Sequence, residues 1–176
     1  MSMPFCPSCG KEAPQETKYC PFCCESLFDG FTFAELTLAN PPPKKGVYVL
    51  RIKTRTEETP RSIVRKVGQL ASDIGWKLVE DYVMSRMKRL EEIGLCPIIY
   101  IGSAGTQRTS KNTLKHRYEE LSNRHTVMYP VWALLYSGWK LEYGWKSCDD
   151  PSAEEKMYKK KYRALHGNQN PALVKK

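Results

Sequence analysis

The chain has 176 residues, of which 41% are hydrophobic, enough to bury the core of one ordinary domain and a small additional module. This content excludes a disordered tail protein. The formal net charge is +9, and residues 1–45 hold fewer Lys and Arg than Asp and Glu, so the positive surplus belongs to the rest of the chain. Such a surplus favours a polyanionic partner such as nucleic acid, although a merely soluble basic protein has the same composition.

Membrane insertion and secretion are not expected. The longest purely apolar run, residues 131–136, is too short to span a bilayer, and no apolar run follows a basic N-terminus. The seven cysteines are an odd number, and four of them stand in paired short spacings. This usage indicates a metal site in a reducing, cytoplasmic environment and not a disulfide framework.

Two Cys-x-x-Cys pairs begin the chain, and a cage of four thiolates is the structural site that zinc prefers. The sequence therefore predicts one structural Zn²⁺ bound within residues 1–27 by Cys6, Cys9, Cys20 and Cys23. Residues 1–27 contain few apolar side chains, so we expect metal binding and folding to be coupled. The segment resembles a short zinc ribbon. Cys24 directly follows the second pair and is either a spectator or a spare ligand.

Residues 28–45 begin with aromatic side chains and end in three consecutive prolines and two lysines. Consecutive prolines favour an extended, stiff backbone. The sequence therefore predicts a spacer that holds the ribbon away from a second domain over residues 46–176.

Two short strands are predicted in that second domain, each with a tyrosine. Gly46-Val47-Tyr48 opens a β-rich run, and Tyr100-Ile101-Gly102 ends a run of isoleucines before a Gly-rich turn. Helical patterns fill residues 60–94 between them. Two rigid strands would thus each present a phenol, Tyr48 and Tyr100.

Three further elements follow the second strand. A helix over residues 112–123 places Arg117 at the edge of its apolar face. Residues 128–136 are apolar and of undetermined type, and residues 139–145 alternate as a third strand. Asp150 and Pro151 are typical of a helix start, and the helix after them would carry Glu154 and Glu155.

The two tyrosine triplets, the arginine helix and the late glutamate helix stand in an order that resembles the GIY-YIG nuclease family over residues 46–170. The resemblance implies a small α/β domain in which a short β-sheet is flanked by helices. The family usually joins its two tyrosine strands by a short connection, whereas about 50 residues intervene here, so a helical insertion is expected between the first two strands. The implied activity is metal-dependent endonucleolytic hydrolysis of DNA.

The resemblance also implies roles for individual residues. Tyr48 would act as general base or as its proton relay, with Tyr100 completing the phenol pair, and Arg117 would hold phosphoryl oxygens. Glu155 would hold Mg²⁺ or Mn²⁺, and Glu154 is the alternate ligand.

The family's histidine and asparagine have weaker counterparts. His125 matches the histidine that some members place near the scissile phosphate, whereas His116 is expected on the solvent side of its helix and His166 at a helix C-terminus. Asn170 is a substitute for the family's asparagine, or equally a turn residue.

The chain from Lys156 onward contains no acidic residue. Its basic side chains are either a solvated helix face or contacts to phosphates, for which the candidates are Lys159, Lys160, Lys161 and Arg163. DNA is the expected partner, and the residues do not distinguish it from RNA. A competing interpretation keeps the basic surface but no turnover, and makes the chain a zinc-ribbon nucleic-acid-binding adaptor.

Overall fold

A computed structural model describes residues 6, 10–12, 19–58, 62–63, 65–66, 69, 77–105, 112–121 and 127–174. The described strands are β1 (Thr32–Glu35), β2 (Gly46–Thr54), β3 (Ile98–Ala104) and β4 (Lys140–Ser147). The described helices are α1 (Pro21–Ser26), α2 (Lys77–Ile93), α3 (Leu114–Glu120), α4 (Met128–Tyr136) and α5 (Pro151–Leu165). The chain is therefore of mixed α/β class.

The four strands form one antiparallel sheet in the order β1-β4-β2-β3. Strand β2 is central, and its first five residues are buried. Tyr48 lies opposite Gly102 of β3, and Leu50 lies opposite both Tyr100 and Tyr143. Because alternate residues of a strand share a face, Tyr48, Tyr100 and Tyr143 all lie on the same side of the sheet, which we call the phenol face.

Helices cover both faces of the sheet. Helix α3 lies over the phenol face, where the ring of Tyr118 meets that of Tyr143 edge-on at 5.3 Å. Helix α5 packs against β3 and β2, and its Glu155 accepts a hydrogen bond from Ser103. Since Ser103 follows Gly102 in the strand, it points to the face opposite the phenols. Strand β3 is one edge of the described sheet, and an edge allows side chains from the two faces to approach each other around it.

The predicted spacer over residues 28–45 is corrected by the structure. This segment contains β1, which pairs with β4, and Phe28 and Phe31 are buried with their ring centroids 5.3 Å from that of Tyr158 in α5. Burying an aromatic side chain contributes about 2 kcal/mol or more, which outweighs the preference of the following prolines for an extended solvated chain. The segment therefore belongs to the sheet.

Other predicted elements are close to those observed. Asp150 caps α5 by accepting a hydrogen bond from the backbone N–H of Ala153 at 3.0 Å. Strand β4 contains residues 140–145 of the predicted third strand and extends two residues beyond it. Residues 128–136, undetermined from sequence, form α4. Helix α2 is the second half of the predicted insertion, whereas most of the first half lies outside the described residues. Among the described helices, none is both long and apolar enough to cross a bilayer.

Candidate active site

Strands β2 and β3 bring Tyr48 and Tyr100 together on the phenol face. Their rings stack with centroids 5.8 Å apart and an interplanar angle of 30°. Gly102 makes this possible, since a Cβ atom there would lie 2.7 Å from Cζ of Tyr48 and 2.7 Å from Cε1 of Tyr100. Any larger residue would collide with both rings. The glycine of the second triplet is therefore required for the phenol pair.

A third phenol, Tyr143 of β4, belongs to the same stack. Its ring lies 5.4 Å from that of Tyr48 at an interplanar angle of 17°, and its hydroxyl donates to the carbonyl of Leu114 at 3.4 Å. Tyr143 is not among the site residues predicted from the sequence. Its signal was the predicted third strand, whose alternation places Tyr143 and Trp145 on one face.

Burial keeps the phenols of the pair protonated. Tyr48 is 1% exposed, and this burial, reinforced by Tyr100 and Tyr143, raises its pKa well above the ordinary value, although the charge of Arg117 acts in the opposite direction. Burial also raises the pKa of Tyr100, despite a hydrogen bond with Tyr48 that lowers it. At neutral pH both groups carry their proton, which fits a proton relay better than a phenolate base.

Arg117 of α3 is the cation of this site. Its Nη1 donates to Oε2 of Glu120 at 2.6 Å, and its charge acts on Tyr48, Tyr100 and Tyr143. Partial burial is the largest single effect and lowers the pKa of Arg117. The hydrogen bond to Glu120, together with the charges of Tyr48, Glu120 and Tyr100, outweighs it, so the net shift is upward. Its Nε–H is buried and has no partner among the described residues. A buried donor of this kind is suited to an anionic ligand.

Of the two candidate carboxylates, Glu155 has the stronger electrostatic effect on the phenol pair. It accepts from the hydroxyl of Ser103, forms an ion pair with Lys159, and raises the pKa of Tyr100. Glu154 instead faces Lys146, with Nζ of the lysine 3.6 Å from its Oε2. Of the two carboxylates, Glu155 is thus the one positioned to act with the phenols.

No family model, curated protein or solved structure matches the chain.

The remaining predicted site residues are placed less favourably. His116 is exposed, with Nε2 3.4 Å from a carboxylate oxygen of Glu120, and His125 lies outside the described residues. The carbonyl of Asn170 accepts a hydrogen bond from Arg89 of α2 at 3.3 Å, and its side-chain oxygen is buried with no partner in the described part of the chain. The hydrogen bond of Asn170 is therefore to α2.

Three of the four predicted zinc ligands converge. The Sγ atoms of Cys6, Cys20 and Cys23 all lie within 4.8 Å of one another, and those of Cys6 and Cys23 are 3.5 Å apart. Thiolates around tetrahedral zinc are about 3.8 Å apart, given Zn–S bonds of about 2.3 Å. These residues could hold a metal ion such as zinc. The fourth predicted ligand, Cys9, lies outside the described residues.

The predicted phosphate-binding residues occupy different surroundings on α5. Lys159 is ion-paired with Glu155, whereas Lys160 and Lys161 are exposed and Arg163 is half-buried. Lys160 and Lys161 are therefore the two cations of this set that are most open to a polyanion.

Proposed function

We propose that this chain is a metal-dependent DNA endonuclease of the GIY-YIG type, which hydrolyses phosphodiester bonds. The supporting observation is the meeting of Tyr48 and Tyr100, from two triplets far apart in the sequence, beside an arginine with an unpaired buried donor. Hydrolysis needs a positioned water, donors for the phosphoryl oxygens and a means to stabilise the leaving oxygen. Each need has a group near the phenol pair.

Arg117 would bind the phosphate. Its Nε–H can donate to a phosphoryl oxygen without breaking the bond from Nη1 to Glu120. Glu120 therefore holds the guanidinium in place, and its positive charge remains next to the site of reaction. A positioned guanidinium stabilises the additional negative charge of the transition state more than that of the bound substrate.

Tyr48 and Tyr100 would position the attacking water and carry its proton. Both phenols are protonated at neutral pH. Each phenol can therefore accept a proton from one neighbour only if it gives its own proton to another neighbour at the same time. Their hydrogen bond provides such a path. The water attacks phosphorus and the P–O bond to the leaving oxygen breaks. The proton released by the water passes through the phenols to solvent, and the leaving oxygen takes a proton from another water molecule.

Glu155 would hold Mg²⁺ or Mn²⁺. Carboxylate oxygens suit these hard cations, which commonly keep several water ligands and use one or two protein carboxylates. Ser103 and Lys159 each occupy one oxygen of Glu155, so binding would require Lys159 to release its oxygen. When bound, the cation would supply positive charge for the leaving oxygen.

The ribbon and the basic helix would serve binding. Cys6, Cys9, Cys20 and Cys23 would hold a structural Zn²⁺, and the exposed Lys160 and Lys161 of α5 would contact backbone phosphates. RNA has the same backbone charge and is an alternative substrate. Such contacts are independent of sequence and weaken with salt.

One observation favours the second candidate, a non-catalytic nucleic-acid-binding adaptor. Lys159 pairs with the carboxylate that a catalytic cation would need. In the adaptor, Glu155 would orient the lysine and the phenol pair would be a packing feature of the core. Both candidates bind nucleic acid, so turnover separates them.

The test is cleavage of supercoiled plasmid by the purified chain in the presence of Mg²⁺. We expect nicked and linear products, their loss when Mg²⁺ is omitted, and a decrease of about a hundredfold or more in Glu155→Gln. Zinc-loaded protein should be used throughout, because a strong chelator would also remove a structural zinc and unfold the ribbon.

Glu154→Gln is the matched control, since it makes the same change one residue away and should be mild. DNA binding without cleavage in the parent protein would favour the adaptor. Loss of activity in Glu154→Gln alone would move the cation to the neighbouring carboxylate.

A further inference from the structure

A second group of side chains that could bind a metal includes neither the residues around the phenol pair nor the predicted zinc ligands of the ribbon. Cys24, Cys96 and His166 are each 0% exposed, and one ligand atom from each lies within 4.8 Å of the others. Cys24 Sγ is 3.2 Å from His166 Nε2. Two thiols and an imidazole are thus packed together without contact to solvent.

His166 is held with one ring nitrogen toward the two cysteines. Its Nδ1 is 2.7 Å from the carbonyl oxygen of Tyr162, which can only accept, so Nδ1 carries the proton and donates. In the neutral imidazole Nε2 is then the unprotonated nitrogen, and it faces Cys24. Metal-ligating histidines typically have this arrangement, in which a carbonyl fixes the tautomer and the other nitrogen binds the cation. The stacked Tyr162 ring, 3.8 Å away, further fixes the imidazole plane.

The three residues come from separate parts of the chain. Cys24 lies in α1, Cys96 precedes β3, and His166 is the C-cap residue of α5, 142 positions after Cys24. A buried cysteine alone is commonly a small apolar residue. Two of them converging on the free nitrogen of an oriented histidine is a donor set and not apolar packing.

We propose that Cys24, Cys96 and His166 form a second metal site, separate from the ribbon cage, that binds a borderline transition-metal cation such as Zn²⁺. Two thiolates and one neutral imidazole balance the charge of a divalent cation, which matters in a site closed to water. The Tyr162 hydroxyl, 3.8 Å from Cys96 Sγ, adds an oxygen beside the set.

The distances are compatible with this ligand set. Tetrahedral zinc bonds of about 2.3 Å to sulfur and 2.1 Å to nitrogen place sulfur and nitrogen about 3.6 Å apart. Cys24 Sγ and His166 Nε2 are 3.2 Å apart, so they need to separate by only a few tenths of an ångström. The cation would connect α1, through Cys24, to the segment before β3 and to the end of α5. The site would be structural, since it is closed.

The test is the zinc content of the full chain, expressed and purified without chelator. We expect about two zinc ions per chain in the parent protein and about one in Cys96→Ser and in His166→Gln, because the ribbon ligands are untouched by these changes. Cys148→Ser, at a half-buried cysteine outside both groups, is the matched control and should retain both ions.

X-ray absorption at the zinc edge of the parent protein decides the question if the variants do not fold. Averaged over both sites, each zinc should show about three sulfur ligands and half an imidazole. One zinc per chain with sulfur ligands alone would overturn the proposal. A disulfide between Cys24 and Cys96, seen as a two-hydrogen mass loss that a reductant reverses, would also overturn it, and so would two zinc ions retained in both variants.

Discussion

Helix α5 contributes to two very different groups of polar side chains. Near its start, Glu155 reaches the edge of the sheet beside the phenol pair, and its C-cap residue His166 lies among buried thiols. The first group is partly open, since the Arg117 side chain is 31% exposed, and the buried Nε–H of Arg117 has no partner among the described residues. The second is closed, with each of its three residues at 0% exposure.

This difference in exposure indicates that the two groups of polar side chains have different roles. An unsatisfied donor costs about 1–3 kcal/mol, and such a cost is commonly retained where a ligand repays it. A closed group whose members all contact one another has no place for a substrate, and its most useful contribution is to join distant parts of the chain. The open group is therefore the candidate for turnover and the closed group the candidate for stability.

The largest expected effect is that of removing Arg117, the cation of the partly open group. Arg117→Ala should lower plasmid cleavage by about a hundredfold or more, because the phosphate loses its clamp, with a smaller loss of DNA affinity. Lys115→Ala, at an exposed position of the same helix, is the matched control and should be nearly neutral. Equal effects of the two changes on cleavage would show that Arg117 acts only through general charge.

The phenol stack offers a second test, because two of its tyrosines are expected to differ in role. Tyr48→Phe should reduce turnover by about a hundredfold, since it removes the relayed proton and leaves the ring stack intact. Tyr143→Phe, in the same stack, should change turnover much less, because the hydroxyl of Tyr143 is bonded to a backbone carbonyl. Single-turnover cleavage measures both, and a similar loss in the two variants would assign the effect to the stack and not to Tyr48.

The sequence predicted the open group much better than the closed one. Tyr48, Tyr100 and Arg117 stand in short patterns with a strand or helix period, so local rules place them on the correct faces. Cys24, Cys96 and His166 have no common local pattern, and only long-range packing brings them together. The predicted spacer failed for the same reason, because pairing of β1 with β4 depends on partners more than 100 residues away.

A substitution at Gly102 tests whether the phenol pair depends on the absence of a side chain at this position. Gly102→Ala should destabilise the fold by about 1–3 kcal/mol, since the new methyl group would lie 2.7 Å from the rings of Tyr48 and Tyr100. Gly30→Ala is the control, because its cost of about 1 kcal/mol is backbone strain at φ +85° with nothing within 4 Å. Urea unfolding measures both. Only Gly102→Ala should also impair cleavage, and unimpaired cleavage in this variant would contradict the dependence.

The raised pKa of Tyr48 predicts a pH dependence of stability. Above about pH 10 an unfolded tyrosine loses its proton, whereas buried Tyr48 keeps it, so the unfolded state binds fewer protons and stability falls as pH rises. The contribution of Tyr48 is fully present below about pH 10. Tyr48→Phe should therefore lose less stability than the parent between about pH 9 and pH 11, measured by urea unfolding. Tyr136→Phe, at an exposed ring, is the control, and parallel curves for all three proteins would refute this origin.

The smallest expected effect concerns the basic side of α5. Lys160 and Lys161 are exposed, whereas the charge of Lys159 is already compensated by Glu155. Replacing Lys160 and Lys161 by glutamine should reduce the slope of log affinity against log salt by about 1.8, because each phosphate contact contributes about 0.9 on B-DNA. Adding Lys159→Gln should change the slope little further while Glu155 is present. A full additional decrease on removal of Lys159 would mean that this lysine leaves Glu155 when DNA binds, which is the rearrangement that would free the carboxylate for a cation. An unchanged slope in the double variant would show that this helix face is only solvated.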